Sequence, residues 1–314
     1  MIYAVRHVTS YTYGSAVDLG AHLLHVRPRV LPWQRVLAAS LTAVPEPART
    51  IFGQDSFGND IAWMFLDKPH PAFEVTLNAR VDVAAAGPPP AAETPSWREV
   101  ARCAFAGGPG AYEAAEFLFE SPMVTAVAEA RDYAEKSFAD ERPILEALLD
   151  LNARIKRDFT FRAGVTTVDT TFRQVLAQRA GVCQDFAHLM IAGLRSLGLP
   201  ARYVSGYVRT HPAPGQTRRL GADQSHAWVS AWLGPVHGWV DLDPTNGIVV
   251  ADEHVVLGWG RDFGDVSPIR GVITGGGSHT VKVSVDLAQA SAVSSQQSVI
   301  SSQSSDRGRL MTEG

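Results

Sequence analysis

Three short stretches hold the residue types of nucleophilic acyl chemistry. Gly181-Val182-Cys183-Gln184-Asp185-Phe186-Ala187-His188 places a thiol where a loop gives way to a helical pattern. Ser225-His226-Ala227-Trp228 follows with an imidazole, and Gly238-Trp239-Val240-Asp241-Leu242-Asp243-Pro244-Thr245-Asn246-Gly247 with two carboxylates. A thiol, then a His, then an Asp is the order of a nucleophile with its base and an orienting acid.

Each residue has a plainer reading too. A thiol attacks as thiolate, and a free pKa of about 8.5 leaves little anion at neutral pH. The first turn of a helix favours the anion through its unsatisfied N–H groups and its dipole. Gly181 would let a substrate backbone approach the sulfur. Against this, a lone Cys is more often a buried structural residue. His226 would share one strand face with Trp228, Ser230 and Trp232, so its ring is rigidly held. His7, His22, His25, His70, His211 and His254 have no such setting. His188 points to a different side of the helix from Cys183 and reads as a packed or hydrogen-bonded residue. Asp241 and Asp243 face the same side of a strand, so periodicity does not choose between them. Asp243-Pro244 is also an ordinary turn opening. A metal site from Cys183, His188 and His226 lacks a fourth ligand.

The elements that must position these groups fall into two zones. Tyr3–Tyr13, Ala21–Val26, Arg35–Val44, Ile61–Leu66 and Phe73–Val83 read as strands, the last with the cleanest period of two. They predict an antiparallel β domain over 1–85, followed by a Pro-rich linker over 86–96. From 97 the period becomes helical, over Trp97–Phe105, a segment opened by Pro122, one opened by Pro143, and Thr171–Gln178. Phe186, Leu189, Met190, Gly193, Leu194 and Leu197 form one apolar stripe on the Cys183 helix, which Gly198 and Pro200 end. Ala201–Val208, Ala227–Leu233 and Gly238–Leu242 read as strands, and His211–Asp223 as a surface loop bearing Arg218 and Arg219. Thr280–Val285 alternates and could add a last strand to this 97–285 region or return to the first sheet. The Ser- and Gln-rich stretch 286–314 is expected to be disordered.

Composition narrows the classes. A net charge of −4 gives no reason to expect nucleic acid or an anionic membrane as partner. Two cysteines are too few for a disulfide scaffold or a tetrathiolate zinc site. No apolar run approaches the length of a membrane span, and no signal peptide is read at Met1–Arg6. The expected location is the cytoplasm, where a thiol stays reduced. Oligomeric state is not legible.

Taken together, the three motifs resemble the core of the transglutaminase-like superfamily, in its bacterial branch of cysteine-protease-like proteins. Gly198-Leu199-Pro200-Ala201-Arg202-Tyr203-Val204-Ser205-Gly206-Tyr207 and the turn Asp55-Ser56-Phe57-Gly58-Asn59 add to the likeness. The resemblance implies an α+β fold: an N-terminal antiparallel β domain, then a papain-like core with a Cys-bearing helix packed on an antiparallel sheet. It implies Cys183 as nucleophile, His226 as base and Asp243, directly before Pro-Thr, as orienting acid, leaving Asp241 a neighbour. The implied reaction is attack on an amide of a peptide or protein through a thioacyl enzyme, ended by water or by an amine. Gln178 and Gln184 could supply a second oxyanion donor. No clustered acidic loop of calcium-binding spacing is present, so neither metal nor cofactor is expected. A non-catalytic scaffold is disfavoured because all three residues stand intact.

Overall fold

The computed structural model describes residues 1–85, 87–166, 170, 172–210 and 224–290. The first zone is an antiparallel sheet of β1 (Ile2–Leu24), β2 (Gln34–Val44), β3 (Arg49–Gln54), β4 (Asp60–Leu66) and β5 (His70–Val83), in the order β2-β5-β1-β4-β3. Period-two burial holds along β1, where Tyr3, Val5, His7 and Thr9 are enclosed. The two strands expected at Tyr3–Tyr13 and Ala21–Val26 are one continuous β1, with its pairing to β5 irregular between Thr12 and Val17. β3 was not expected. It is an exposed edge strand along its whole length, so burial imposes no alternation on its residues.

Helices follow: α1 (Trp97–Ala106), α2 (Tyr112–Ala115), α3 (Ala128–Glu135), α4 (Ile144–Asp158), α5 (Phe172–Gln178) and α6 (Cys183–Ser196). The two-residue strands β6 (Thr160–Phe161) and β7 (Ala180–Gly181) pair in parallel just before α6. Pro122 does not open a helix. Ser121 and Val124 exchange backbone hydrogen bonds of 2.9 and 3.1 Å around it, and α3 begins only at Ala128. The fixed φ of proline serves a turn as well as a first helical position.

The core sheet consists of β8 (Ala201–Val208), β9 (Gln224–Trp232), β10 (Trp239–Asp243), β11 (Ile248–Val249) and β12 (His254–Gly260), all antiparallel, ordered β11-β10-β9-β8-β12. Ala201, Tyr203, Ala227, Val229 and Ala231 share one apolar core with α4 and α6. α6 is enclosed on more than its expected stripe: every residue from Asp185 to Leu194 is buried. Gly193 permits this, since a Cβ there would stand 2.7 Å from that of Ala134 in α3.

A short helix, α7 (Phe263–Val266), leads to β13 (Ile269–Gly275) and β14 (His279–Gln289), and both pair with β1. The last strand therefore completes the N-terminal sheet instead of the core, with Val285 and Leu287 in the first zone's apolar cluster. It runs to Gln289, past the expected boundary at 285. Two expectations, the loop His211–Asp223 with Arg218 and Arg219, and the tail from 291, lie outside the described residues. Among the described residues no helix is long and apolar enough to cross a membrane.

Candidate active site

Cys183 is the first residue of α6, half-buried, after Val182 in extended backbone. The carboxylate of Asp185 turns back over the helix start, accepting from the Val182 N–H at 2.7 Å and from the Thr166 hydroxyl at 2.8 Å. Burial raises the pKa of Asp185, and these two bonds partly offset it. Gly181 belongs to the same arrangement. A Cβ there would stand 2.7 Å from Asp185 Oδ2. The glycine clears room for the cap.

His226 lies in β9 opposite Gly206 of β8. Its Nε2 donates to Asp243 Oδ2 at 2.8 Å, and the Cys183 sulfur is close enough to act on the charge of the ring. Burial alone would lower the imidazole pKa. The bond to Asp243, with the influence of Asp243 and Cys183 on the ring's charge, outweighs it and pulls the value up to about 9. The structure thus brings together the thiol, imidazole and carboxylate that the motifs singled out.

Asp243 closes β10 and is wholly enclosed. Its Oδ1 accepts from the backbone N–H groups of Thr245 and Asn246 at 2.9 and 3.1 Å. Its Oδ2 accepts from Asn246 Nδ2 at 2.6 Å as well as from His226. The turn after Pro244 therefore binds the carboxylate that precedes it. Burial would raise this pKa, but the bonds from His226, His254 and Asn246 hold the carboxyl well below its usual range. Asp241, left open by periodicity, does different work. It accepts from Trp228 Nε1 at 2.9 Å, and the Trp228 ring lies 6.2 Å from that of His226. Gly206 makes room for this indole: a Cβ there would stand 2.3 Å from Trp228 Cη2.

Two expectations about neighbours can be placed. His188 is buried, and its Nε2 accepts from the Phe263 N–H at 3.2 Å. Burial lowers its pKa to about 4, and it is the packed, hydrogen-bonded residue that its helix position suggested. Gln178 donates to the Ala180 carbonyl at 2.9 Å, which occupies it within the fold, while Gln184 is half-buried next to Cys183.

One residue at the site had no signal in the sequence. His254, at the start of β12, donates from Nε2 to Asp243 Oδ2 at 3.3 Å and stands edge-on to Trp228 at 5.2 Å. β12 is enclosed on both faces, so its residues show no alternation that would reveal a strand. His226, Asp243 and His254 bring three ligand-type atoms within 4.8 Å of one another. Asp243 Oδ2, however, already meets three donors, which is the chemistry of a hydrogen-bond cluster.

The N-terminal sheet holds β12 in place. Gln34 donates to the Val256 carbonyl and accepts from its N–H, both at 2.8 Å. Asn59, from the Asp55–Asn59 turn, does the same for Trp259 at 2.8 and 2.9 Å. Gly258 is required between them, since a Cβ there would meet Asn59 Oδ1 at 2.7 Å. On the far side, Trp259 lies between the guanidinium groups of Arg29 and Arg202, at 3.6 and 3.7 Å.

Comparison with known proteins agrees with this architecture. Residues 131–244 match the transglutaminase-like superfamily, and residues 3–82 the bacterial transglutaminase-like N-terminal region. An uncharacterized protein of Mycobacterium tuberculosis is 40% identical over 291 residues, 91% of this chain and 92% of that one. A protein-glutamine gamma-glutamyltransferase of Pseudomonas aeruginosa is 31% identical over 129 residues, 40% of this chain and 19% of its own. The crystal structure of a Cytophaga hutchinsonii protein, provisionally described as a cysteine protease, has the same fold with a TM-score of 0.71 at 22% identity, covering 92% of this chain and 90% of that one. The chain belongs to the transglutaminase-like superfamily, with the bacterial transglutaminase-like N-terminal region ahead of its core.

Proposed function

We propose that the protein is a cysteine hydrolase that cleaves a peptide or amide bond through a thioacyl enzyme. The observation that carries this reading is the single imidazole that is bonded to Asp243 and stands near the Cys183 sulfur at the start of α6. An imidazolium beside a sulfur at a helix start stabilises the thiolate twice, by its own charge and by the helix N–H groups. Asp243 fixes the ring with Nε2 protonated, so Nδ1 is the nitrogen that exchanges a proton with the sulfur and the leaving group.

The steps balance with these groups alone. The Cys183 sulfur attacks the amide carbon, and the carbonyl electrons move to an oxyanion held in part by the Cys183 backbone N–H. The C–N bond breaks, the imidazolium gives its proton to the departing amine, and a thioester remains. Neutral His226 then takes a proton from water as it attacks the thioester. The acid leaves and the ion pair re-forms. The substrate is a peptide or protein, and a reducing compartment such as the cytoplasm keeps the thiol available.

A second reading is favoured by the Pseudomonas aeruginosa relative, whose name is that of a glutamyltransferase. In that case an amine replaces water in the last step. A peptide-amide library with mass-spectrometric readout, with and without a primary amine, separates the two. Hydrolysis predicts free-acid products from the wild type and none from Cys183→Ala. Dominant amine adducts would overturn hydrolysis, and equal turnover by Cys183→Ala would overturn the nucleophile.

A further inference from the structure

We infer that His254 is a positioning residue for this site, a second imidazole that shares Asp243 with the base and tempers its pull on His226. The inference rests on the cysteine-hydrolase reading for its use in catalysis, but its geometry stands apart from any substrate. Three donors converge on one oxygen: His226 Nε2 at 2.8 Å, Asn246 Nδ2 at 2.6 Å and His254 Nε2 at 3.3 Å. A carboxylate only accepts, so His254 must carry its hydrogen on Nε2. Its Nδ1 is enclosed and meets no partner. A buried ring nitrogen without a partner carries a desolvation cost, and the ring is held there all the same. It is fixed on one side by the edge-on contact with Trp228 and on the other by β12, which Gln34 and Asn59 bind to the N-terminal sheet.

The effect of that placement follows from how hydrogen bonds share a lone-pair region. Each donor on an anionic oxygen stabilises its charge and leaves less for the other donors. The two backbone bonds to Oδ1 and the Asn246 amide already fix where Asp243 sits. What His254 adds is competition for Oδ2. The catalytic use is balance: an imidazolium bound too tightly to Asp243 gives its proton reluctantly to a leaving amine. Among the described residues, the ionisable groups facing this cluster are Cys183 from α6, Asp241 and Asp243 from β10, and His254 from β12. Asp241 is engaged with Trp228. The clamp on β12 then gives the N-terminal sheet a role in catalysis, since it sets the distance from His254 to the acid.

The experiment reads the base directly and needs no substrate. The full chain, labelled with nitrogen-15 at histidine, is titrated by NMR, and the His226 ring signals are followed in wild type, His254→Leu and His254→Gln. His254→Leu removes the donor, so the His226 midpoint is expected to rise by about half a pH unit or more. His254→Gln keeps a donor near the Nε2 position and is expected to bring the midpoint back towards wild type. A midpoint that stays or falls in His254→Leu overturns the inference, as does a Gln variant that behaves like Leu. Should His254→Leu fail to fold, His254→Asn, whose amide is too short to reach Oδ2, takes its place with the same expected rise. A rise seen in a protein that turns over no amide would leave the sharing of Asp243 intact and fault only the hydrolase reading.

Discussion

His7 and His226 are both almost wholly enclosed, at 2% and 8% exposed, yet their pKa values move in opposite directions. His7, in the N-terminal sheet, bonds to the Tyr207 hydroxyl at 2.7 Å and the Thr9 hydroxyl at 2.9 Å. Neither partner is charged, so burial acts unopposed and lowers its pKa to about 4. His226 suffers the same burial, but Asp243 and Cys183 reverse it and bring the value to about 9. The stability effects differ in sign as well. The neutral His7 supports the fold above its unfolded value of about 6.5, and that support is lost as pH falls towards 4. The His226 contribution is complete below about 6.5 and is lost as pH rises towards 9. Burial alone lowers the pKa of an imidazole, and the neighbours of His226 reverse that shift.

Removing the charge at the second histidine should collapse the contrast. Asp243→Asn keeps the shape but not the charge, so His226 should come to resemble His7, neutral at pH 7. Turnover is expected to fall by roughly 10⁴-fold, by analogy with orienting acids elsewhere. A variant within tenfold of wild type in a peptide-amide assay would show that the carboxylate is not the source of the difference.

A smaller effect separates the two sheets by their packing. Gly206→Ala would place a Cβ 2.3 Å from both Trp228 Cη2 and the Val255 carbonyl oxygen. Backbone and a fixed indole cannot yield cheaply, so urea denaturation should show a loss of about 3 kcal/mol. Gly53→Ala, in exposed β3, meets nothing within 4 Å and should stay within about 0.5 kcal/mol of wild type. Equal losses would mean that Trp228 is not locked against β8.

The same contrast decides what could be read from the chain alone. The N-terminal strands β1, β4 and β5 were legible because one face is buried and the other is not. β3 is exposed on both faces and β12 enclosed on both, and neither carries a period. Cys183 and His226 stood out through their settings at a helix start and on a strand. Asp243 did not stand out from Asp241 by spacing, because both lie on one strand face. What separates them is tertiary: Asp243 meets His226, and Asp241 meets an indole. His254 was illegible for the same reason, since its partner is eleven residues away across a sheet. Gly181 was legible as necessary, but the atom whose room it clears is a carboxylate of the helix that follows it.

If the surroundings of Cys183 make it a nucleophile, as proposed, the chain carries its own control. Cys103 is also free and half-buried and packs against the same apolar core as Cys183, but it stands within α1 and not at a helix start. Limiting iodoacetamide at neutral pH, followed by peptide mass spectrometry, compares the two thiols in one molecule. Labelling of Cys183 is expected to be at least tenfold faster than that of Cys103, with that preference lost in Asp243→Asn. Equal rates at the two cysteines in the wild type would contradict it.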